Sequence, residues 1–168
     1  GINEIIVKVV HQSPNSRWYS GAGIYRNVWL RTKPYTHIKT DGIYVAPNKH
    51  GNTYEVKVDT EIAHIATGKY CLKYQIYHPN QSLLTELVKE KYVSIHVDEN
   101  SLVLSEEFVI SEPALWDLKD ANLYSLEVML FQNGNLIQTE MVKFGLREIT
   151  LDADKGFFLN GTHMKLNG

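Results

Sequence analysis

"NLYSLEVMLFQNGNL", residues 122–136, contains the pattern that decides the fold. Leu126, Val128 and Leu130 alternate with polar or less apolar residues, and successive side chains of a β-strand point to opposite faces of the sheet. Asn133-Gly134 follows directly. This dipeptide is typical of a type I′ hairpin turn, which needs positive φ at both central residues. The stretch therefore predicts a β-hairpin with one face on a hydrophobic core.

The same alternation recurs along the chain. It is present in "TYEVKVDTEIAHI" at 53–65 and in "GKYCLKYQIYHP" at 68–79. Turn-forming residues lie between the apolar runs, at 46–52, 66–69 and 78–81. Short strands separated by turns, without long amphipathic helices, are typical of a β-sandwich. We therefore predict an all-β fold, with the sandwich running from about Asn27 to about Phe144 and a separate strand, Ile2 to Val10, before it.

One segment is compatible with either a helix or a strand. In "SLLTELVKEKYVSIHV", residues 82–97, Leu84, Leu87 and Val88 have helical spacing. The second half alternates, however, and another strand-like run, "LVLSEEFVI", follows at 102–110. We interpret the segment as a strand.

Composition excludes several classes of function. The 168 residues are 43% hydrophobic and 21% charged, with a net charge of −2. No basic field favours a nucleic acid or an anionic membrane, and no apolar run reaches the roughly 20 residues that span a bilayer. Cys71 is the only cysteine, so an intramolecular disulfide and a cysteine-based metal site are excluded. We predict no nucleic-acid partner, no membrane partner and no cofactor; a periplasmic and a cytoplasmic location both remain open.

Three motifs occur in order along the chain. The first is Gly23-Ile24-Tyr25-Arg26-Asn27-Val28, the second is "PALWDLKDANLY" at 113–124, and the third is "FGLREITLDADKGFFLNG" at 144–161. Together they resemble glycoside hydrolase family 2, which contains β-galactosidases, β-glucuronidases and β-mannosidases. Two departures are Asn122, where the family usually has proline, and the tail Lys165-Leu166-Asn167-Gly168, where many members have Leu-x-Arg-Gly.

The resemblance implies a domain organisation. Residues 1–26 would end a jelly-roll sugar-binding domain, 27–146 would be an immunoglobulin-like β-sandwich, and 147–168 would be the first strands of a TIM-barrel catalytic domain. We expect the chain to be a middle segment that begins and ends inside its neighbouring domains. Its unpaired end strands could then associate between copies.

The resemblance also implies an activity for a longer protein. The form Arg-Trp-Tyr-Ser-Gly-x-Gly-Ile-Tyr-Arg is similar to the shorter bacterial β-galactosidases, which hydrolyse terminal β-galactosides with retention. A β-glycoside substrate would then be bound through a barrel that this sequence does not contain. A β-glucuronidase, a β-mannosidase and an independent carbohydrate-binding sandwich are the alternatives.

The segment itself is expected to be inactive. Glycoside hydrolysis needs two carboxyl groups on either side of the scissile bond. Adjacent acids on a strand, such as Glu106-Glu107 and Asp98-Glu99, point to opposite faces, while the pairs Asp117 with Asp120 and Asp152 with Asp154 lie in turn-like stretches. In the family both catalytic glutamates lie in the barrel. We therefore assign no catalytic residue to this chain.

The histidines give no sign of a metal site. The seven histidines show no i, i+2 or i, i+4 pair, which is the spacing typical of metal ligands on one element. We interpret His64 and His96 as strand-edge residues and assign no metal ligand.

Candidate binding residues lie near the inferred domain junctions. Arg17, Trp18 and Tyr19 form either an anchor between domains or a wall of the substrate pocket, because Trp and Tyr stack on sugar rings and pack in interfaces. Arg26, Arg147 and Asn160 are predicted to make interdomain contacts. A buried guanidinium is costly unless it is paired, so we expect each arginine to bond oxygens across an interface, with a solvated surface arginine as the alternative.

Overall fold

The computed structural model describes residues 2, 4–12, 21–65, 68–93 and 101–166, without the side chains of 86–93 and 101. The chain divides into two compact units, Gly1–Thr32 and Lys33–Gly168. None of the described residues lies in a helix, and no membrane-spanning helix is found among them.

Within the second unit the described residues form ten strands in three antiparallel sheets. One sheet has the order β1-β2-β5, another has the order β4-β3-β6-β7, and a small meander has the order β10-β9-β8. The strands are β1 (His37–His50), β2 (Thr53–Ala63), β3 (Gly68–Tyr77), β4 (Leu83–Val93), β5 (Ser101–Ser111), β6 (Tyr124–Gln132), β7 (Asn135–Phe144), β8 (Ile149–Asp152), β9 (Gly156–Leu159) and β10 (Thr162–Met164). The predicted all-β fold is confirmed.

The core lies between the two larger sheets. Alternate residues of β2, β3 and β6 are buried along the full length of each strand, as the period of two requires. One apolar cluster takes its members from both sheets, and its largest fully buried side chains include Tyr54, Tyr74 and Tyr124. Leu126, Val128 and Leu130 are all 0% exposed, so the face predicted from residues 122–136 is the face in the core.

The predicted hairpin turn is confirmed at residues 132–135. Asn133 and Gly134 have φ of 50° and 83°, the positive values that a type I′ turn needs at both central positions. The Asn133 amide also donates to the Lys69 carbonyl at 2.8 Å, and its Oδ1 accepts from the Lys69 amide at 3.1 Å. The turn is thereby attached to the start of β3.

The ambiguous segment is a strand. Leu83–Val93 forms β4 and pairs antiparallel with β3 over its whole length. Pairing with a neighbouring strand therefore outweighed the helical spacing of three apolar residues in its first half.

The predicted strand Ile2 to Val10 is wrong for the residues that the structure describes there. Residues 2 and 4–12 have no strand assignment, and their apolar side chains are exposed, Ile6 at 82%. A strand needs a neighbour to satisfy its backbone hydrogen bonds, and none of the described strands pairs with this segment. The alternating apolar pattern of this segment does not show whether a neighbouring strand is present to pair with it.

Truncation of a core leucine should destabilise the sandwich strongly. Leu126→Ala removes a side chain that is 0% exposed and leaves a cavity, so we expect a loss of about 2–5 kcal/mol in the free energy of unfolding. Urea titration followed by circular dichroism measures this loss.

The matched control is Leu136→Ala, since Leu136 on β7 is 54% exposed. It should cost less than about 1 kcal/mol. Equal losses in the two variants would contradict the assignment of the core face.

Candidate functional site

The meander of β8, β9 and β10 is attached to the sandwich through Asn160, in the turn between β9 and β10. The Asn160 amide donates to the Glu148 carbonyl at 2.9 Å, and its Oδ1 accepts from the Glu148 amide at 2.9 Å. Its Nδ2 donates to the Trp116 carbonyl at 3.1 Å. One residue therefore joins the β9–β10 turn, the segment after β7 and the connection between β5 and β6; we call these contacts the Asn160 bridge.

The backbone conformation of this turn suits an asparagine. Asn160 has φ of 50° and Gly161 has φ of 77°. Asparagine is one of the few residues other than glycine that enters the left-handed region readily. The sequence Asn160-Gly161 thus gives the turn its shape and also places the amide side chain against Glu148 and Trp116.

Trp116 is the second component of the junction. Its amide donates to the carbonyl of the fully buried Leu146 at 2.9 Å, and the Arg147 guanidinium carbon lies 5.0 Å from the centre of its ring, within cation–π range. A Cβ on Gly145 would lie 3.1 Å from the Trp116 Cβ. A side chain at 145 would therefore require Trp116 to shift slightly.

The position of Arg147 differs from the expected buried arginine. Its side chain is exposed and lies on the face of Trp116, an arrangement in which a planar guanidinium keeps its donors available. Within the described part of the chain it makes no buried bond to an oxygen, so the solvated alternative describes it better. Its interdomain role stays a prediction.

An ion pair next to the junction was missed by the sequence reasoning. Lys49 Nζ lies 2.7 Å from Glu148 Oε2, and the hydrogen bond to Glu148 raises the pKa of Lys49. Both side chains are exposed, so the pair adds little stability. The nearby Tyr54 hydroxyl is buried without a hydrogen-bond partner, and burial raises the pKa of Tyr54. Lys49 and Glu148 are 99 residues apart, which no local sequence pattern connects.

The meander and the Trp116 segment border two adjoining open clefts. One, of about 540 Å³, is lined by Trp116, Arg147, Ile149 and Leu166 among others. The other, of about 480 Å³, is lined by Asp117, Asn160 and His163 among others. Exposed apolar side chains surround them, with Leu118 at 69%, Ile149 at 54% and Leu166 at 70% exposure. Contiguous exposed apolar surface of this kind is typical of a protein contact surface.

The acids in the turns cap their own loops. Asp117 Oδ1 accepts from the amides of Lys119 and Asp120, both at 2.7 Å, and these bonds, the Asp120 bond foremost, lower the pKa of Asp117. Asp152 Oδ1 accepts from the amides of Asp154 and Lys155 at 2.9 and 2.8 Å. These carboxylates act as turn acceptors, as the solvated-loop interpretation expected.

On β5, Glu106 and Glu107 are partly buried and exposed, respectively, in line with the alternation of a strand. His96, Asp98 and Glu99 lie outside the described residues. Among the described residues no group of three His, Cys, Asp or Glu could hold a metal ion.

The other four predicted site residues belong to the first 32 residues of the chain. Arg17, Trp18 and Tyr19 lie outside the described residues. Arg26 is exposed, with its guanidinium carbon 5.3 Å from the centre of the Tyr25 ring. Of the three predicted interdomain residues, the structure gives Asn160 a dense set of polar contacts and gives the two arginines aromatic neighbours.

Comparison with known proteins shows the family to which this geometry belongs. The model of "Glycosyl hydrolases family 2" matches residues 36–147, which span both large sheets. The chain is similar to "Beta-galactosidase BoGH2A" of Bacteroides ovatus, 30% identical over 99% of this chain and 20% of that protein. It is also similar to a "Putative beta-glucuronidase" of Formosa agariphila, 31% identical over 100% of this chain and 16% of that protein.

Solved structures show the same relationship. A glycosyl hydrolase family 2 member from Bacteroides cellulosilyticus has a TM-score of 0.84 and 29% identity, covering 95% of this chain and 22% of that one. Bacteroides uniformis beta-glucuronidase 2 has a TM-score of 0.80 and 27% identity, covering 93% of this chain and 20% of that one. The chain thus spans about a fifth of the length of these relatives.

The Asn160 bridge can be tested with one isosteric substitution. Asn160→Asp keeps the oxygen that accepts from Glu148 but replaces the donor to Trp116 by an oxygen that repels the carbonyl. We expect the meander to open more readily, by about 1–3 kcal/mol. Hydrogen exchange of the amides of β9 and β10 measures this opening.

Asn135→Asp makes the same chemical change at an exposed position at the start of β7 and should leave meander exchange unchanged. Equal exchange of the meander in the Asn160→Asp variant and the unmodified chain would contradict the bridge.

Proposed function

Because the chain belongs to glycosyl hydrolase family 2, we propose that it is the non-catalytic middle segment of a β-galactosidase that hydrolyses terminal β-galactosides with retention. The observation that carries the proposal is the similarity to "Beta-galactosidase BoGH2A" along 99% of this chain but only 20% of that protein. Further support comes from a "Beta-galactosidase" of Thermoanaerobacter pseudethanolicus, 30% identical over 87% of the chain.

In this proposal the chemistry lies outside the segment. A retaining glycosidase needs two carboxyl groups about 5–5.5 Å apart, one as nucleophile and one as acid/base. Asp117 and Asp152 each accept a hydrogen bond from a backbone amide of their own turn. These carboxylates therefore stabilise their turns. The catalytic pair would belong to the barrel, and the segment alone would be inactive.

The segment would position the barrel against the jelly roll. The packed core makes the sandwich a rigid spacer, and the Asn160 bridge fixes the meander to one end of it. The exposed apolar residues around the two clefts, among them Ile149 and Leu166, would be covered by the rest of the barrel. Arg147 and Asn160 would hold the start of the barrel against Trp116 of the sandwich, and Arg26 would lie at the junction with the jelly roll.

Unpaired strands at the ends of the segment would also allow self-association when the neighbouring domains are absent. In the meander β8 and β10 each pair on one side only, and an edge strand of this kind can pair with another chain. Association that increases with concentration in sedimentation experiments on the 168-residue chain supports this, and a monomer at all concentrations contradicts it.

A β-glucuronidase is the second candidate. It is favoured by the similarity to the Formosa agariphila protein and to the structure of Bacteroides uniformis beta-glucuronidase 2. A β-mannosidase of the same family is a further alternative and draws no support from these relatives.

An independent carbohydrate-binding module would display several aromatic rings on one surface. Three tyrosines, Tyr35, Tyr44 and Tyr92, are the candidates for such a surface. Tyr35 and Tyr44 are 75% and 65% exposed, and the side chain of Tyr92 lies outside the described residues.

The activity is tested with nitrophenyl β-galactoside, β-glucuronide and β-mannoside, added to this chain and to the whole protein that contains it. We expect no hydrolysis by the chain and preferential hydrolysis of the galactoside by the whole protein. Preference for the glucuronide would support the second candidate instead. Hydrolysis by the chain alone would overturn the assignment of a non-catalytic segment.

The loop containing Arg17, Trp18 and Tyr19 is proposed to anchor neighbouring domains, with a wall of the substrate pocket as the alternative. In the whole enzyme, Trp18→Ala should lower the melting temperature and leave KM for the galactoside unchanged, because an interface tryptophan contributes packing rather than substrate contacts. Steady-state kinetics and calorimetry measure both quantities. A raised KM with an unchanged melting temperature would support the pocket wall.

A further inference from the structure

Two histidines that are distant in sequence meet at the open end of the β1–β2 hairpin. His37 is the first residue of β1, and His64 follows the last residue of β2. His37 pairs in register with Ala63, which brings the neighbouring His64 close to it. The centres of the two imidazole rings are 5.6 Å apart, with 49° between the ring planes.

The backbone holds one nitrogen of His37. Its Nδ1 lies 2.9 Å from the carbonyl oxygens of both Pro34 and Tyr35. Carbonyl oxygens only accept hydrogen bonds, so Nδ1 donates, and in the neutral ring Nε2 is the nitrogen with the lone pair. This is the arrangement of a histidine that binds a metal, whose second ring nitrogen usually donates to a carbonyl or a carboxylate.

His64 is also held in place. It has φ of 53°, a left-handed conformation that is uncommon for residues other than glycine and that persists where the surroundings enforce it. Thr36, which is 4% exposed, donates from Oγ1 to the His64 carbonyl at 2.7 Å. The Tyr35 ring lies 5.1 Å from the His64 ring. These contacts limit the positions that the two imidazoles adopt before any ligand binds, which lowers the entropy cost of binding.

The ring separation suits shared coordination. A metal–nitrogen bond of about 2.0–2.1 Å places each ring centre about 3.2 Å from the metal, so two imidazoles at a tetrahedral angle have centres about 5.2 Å apart. The observed separation is 5.6 Å, which small rotations of the exposed rings can adjust.

We propose that His37 and His64 form a two-histidine site for a divalent transition-metal ion. Imidazole nitrogen favours zinc, copper and nickel over magnesium and calcium, so the ligand belongs to the first group. Water or a donor from a bound molecule would complete the coordination. The site is separate from the Asn160 bridge, and it does not depend on the proposed glycosidase activity.

Zinc sulfate alone, titrated into the chain, tests the site. Imidazole nitrogen resonances in heteronuclear NMR identify which histidines coordinate, without any substitution. We expect zinc to shift the Nε2 resonance of His37 together with a ring-nitrogen resonance of His64, and isothermal titration calorimetry to show a saturable zinc site. Absence of these shifts at millimolar zinc would overturn the proposal.

Three variants separate coordination from ring packing. His37→Phe keeps an aromatic ring beside His64 but removes the nitrogen, and His64→Asn removes the imidazole while tolerating the left-handed backbone. Each should weaken zinc binding by about tenfold or more. His50→Gln, at the exposed far end of β1, should bind zinc as the unmodified chain does. Equal weakening in all three variants would indicate non-specific histidine binding and overturn the proposal.

Discussion

Burial of every second side chain between two sheets is the constraint on which the rest of this structure depends. A slip of one residue in the pairing of β2 with β5 would turn the buried face to solvent. The observed register instead pairs Val56 with Phe108 and Tyr54 with Ile110, all of them buried. The core thus fixes the positions of the strands, and the ends of the strands fix where the connecting loops lie.

Buried tyrosines link the two sheets to each other and to the connection between β5 and β6. The Tyr74 hydroxyl donates to Thr60 at 3.2 Å, across the two sheets, and burial raises the pKa of Tyr74 to about 12. The Tyr124 hydroxyl accepts from the Ala114 amide at 2.9 Å, just before Trp116. The core therefore positions the segment whose carbonyl receives the Asn160 side chain, and through it the meander. In the proposed enzyme these contacts would fix the orientation of the barrel relative to the sandwich.

The fold class and the main strands of the sandwich could be predicted from sequence because their signals are local. Alternation in β2, β3 and β6 and the Asn133-Gly134 turn each need only a few neighbouring residues to be recognised. Patterns of this kind do not show which partner a strand will find, which is why the strand predicted at residues 2–10 was wrong for the described residues 2 and 4–10.

The candidate sites depend on contacts between distant parts of the chain. Asn160 and Trp116 are 44 residues apart, and their bond exists only because the meander folds against the β5–β6 connection. His37 and His64 meet through strand pairing, so a search for close histidine spacing could not find them. A buried arginine does need partners, but the motif around Arg147 does not show whether the arginine is buried. The structure leaves Arg147 exposed, with its guanidinium over the ring of the half-buried Trp116.

In the proposed enzyme this segment would be a spacer, and the exposed face of its meander would be covered by the rest of the catalytic barrel. A crystal structure of the whole protein tests this most directly. We expect Leu118, Ile149 and Leu166, each more than half exposed in this chain, to be buried against the rest of the barrel, and the Asn160 bridge to keep its bonds to Glu148 and Trp116. Exposure of these side chains to solvent in the whole protein, or a meander detached from the sandwich, would contradict it.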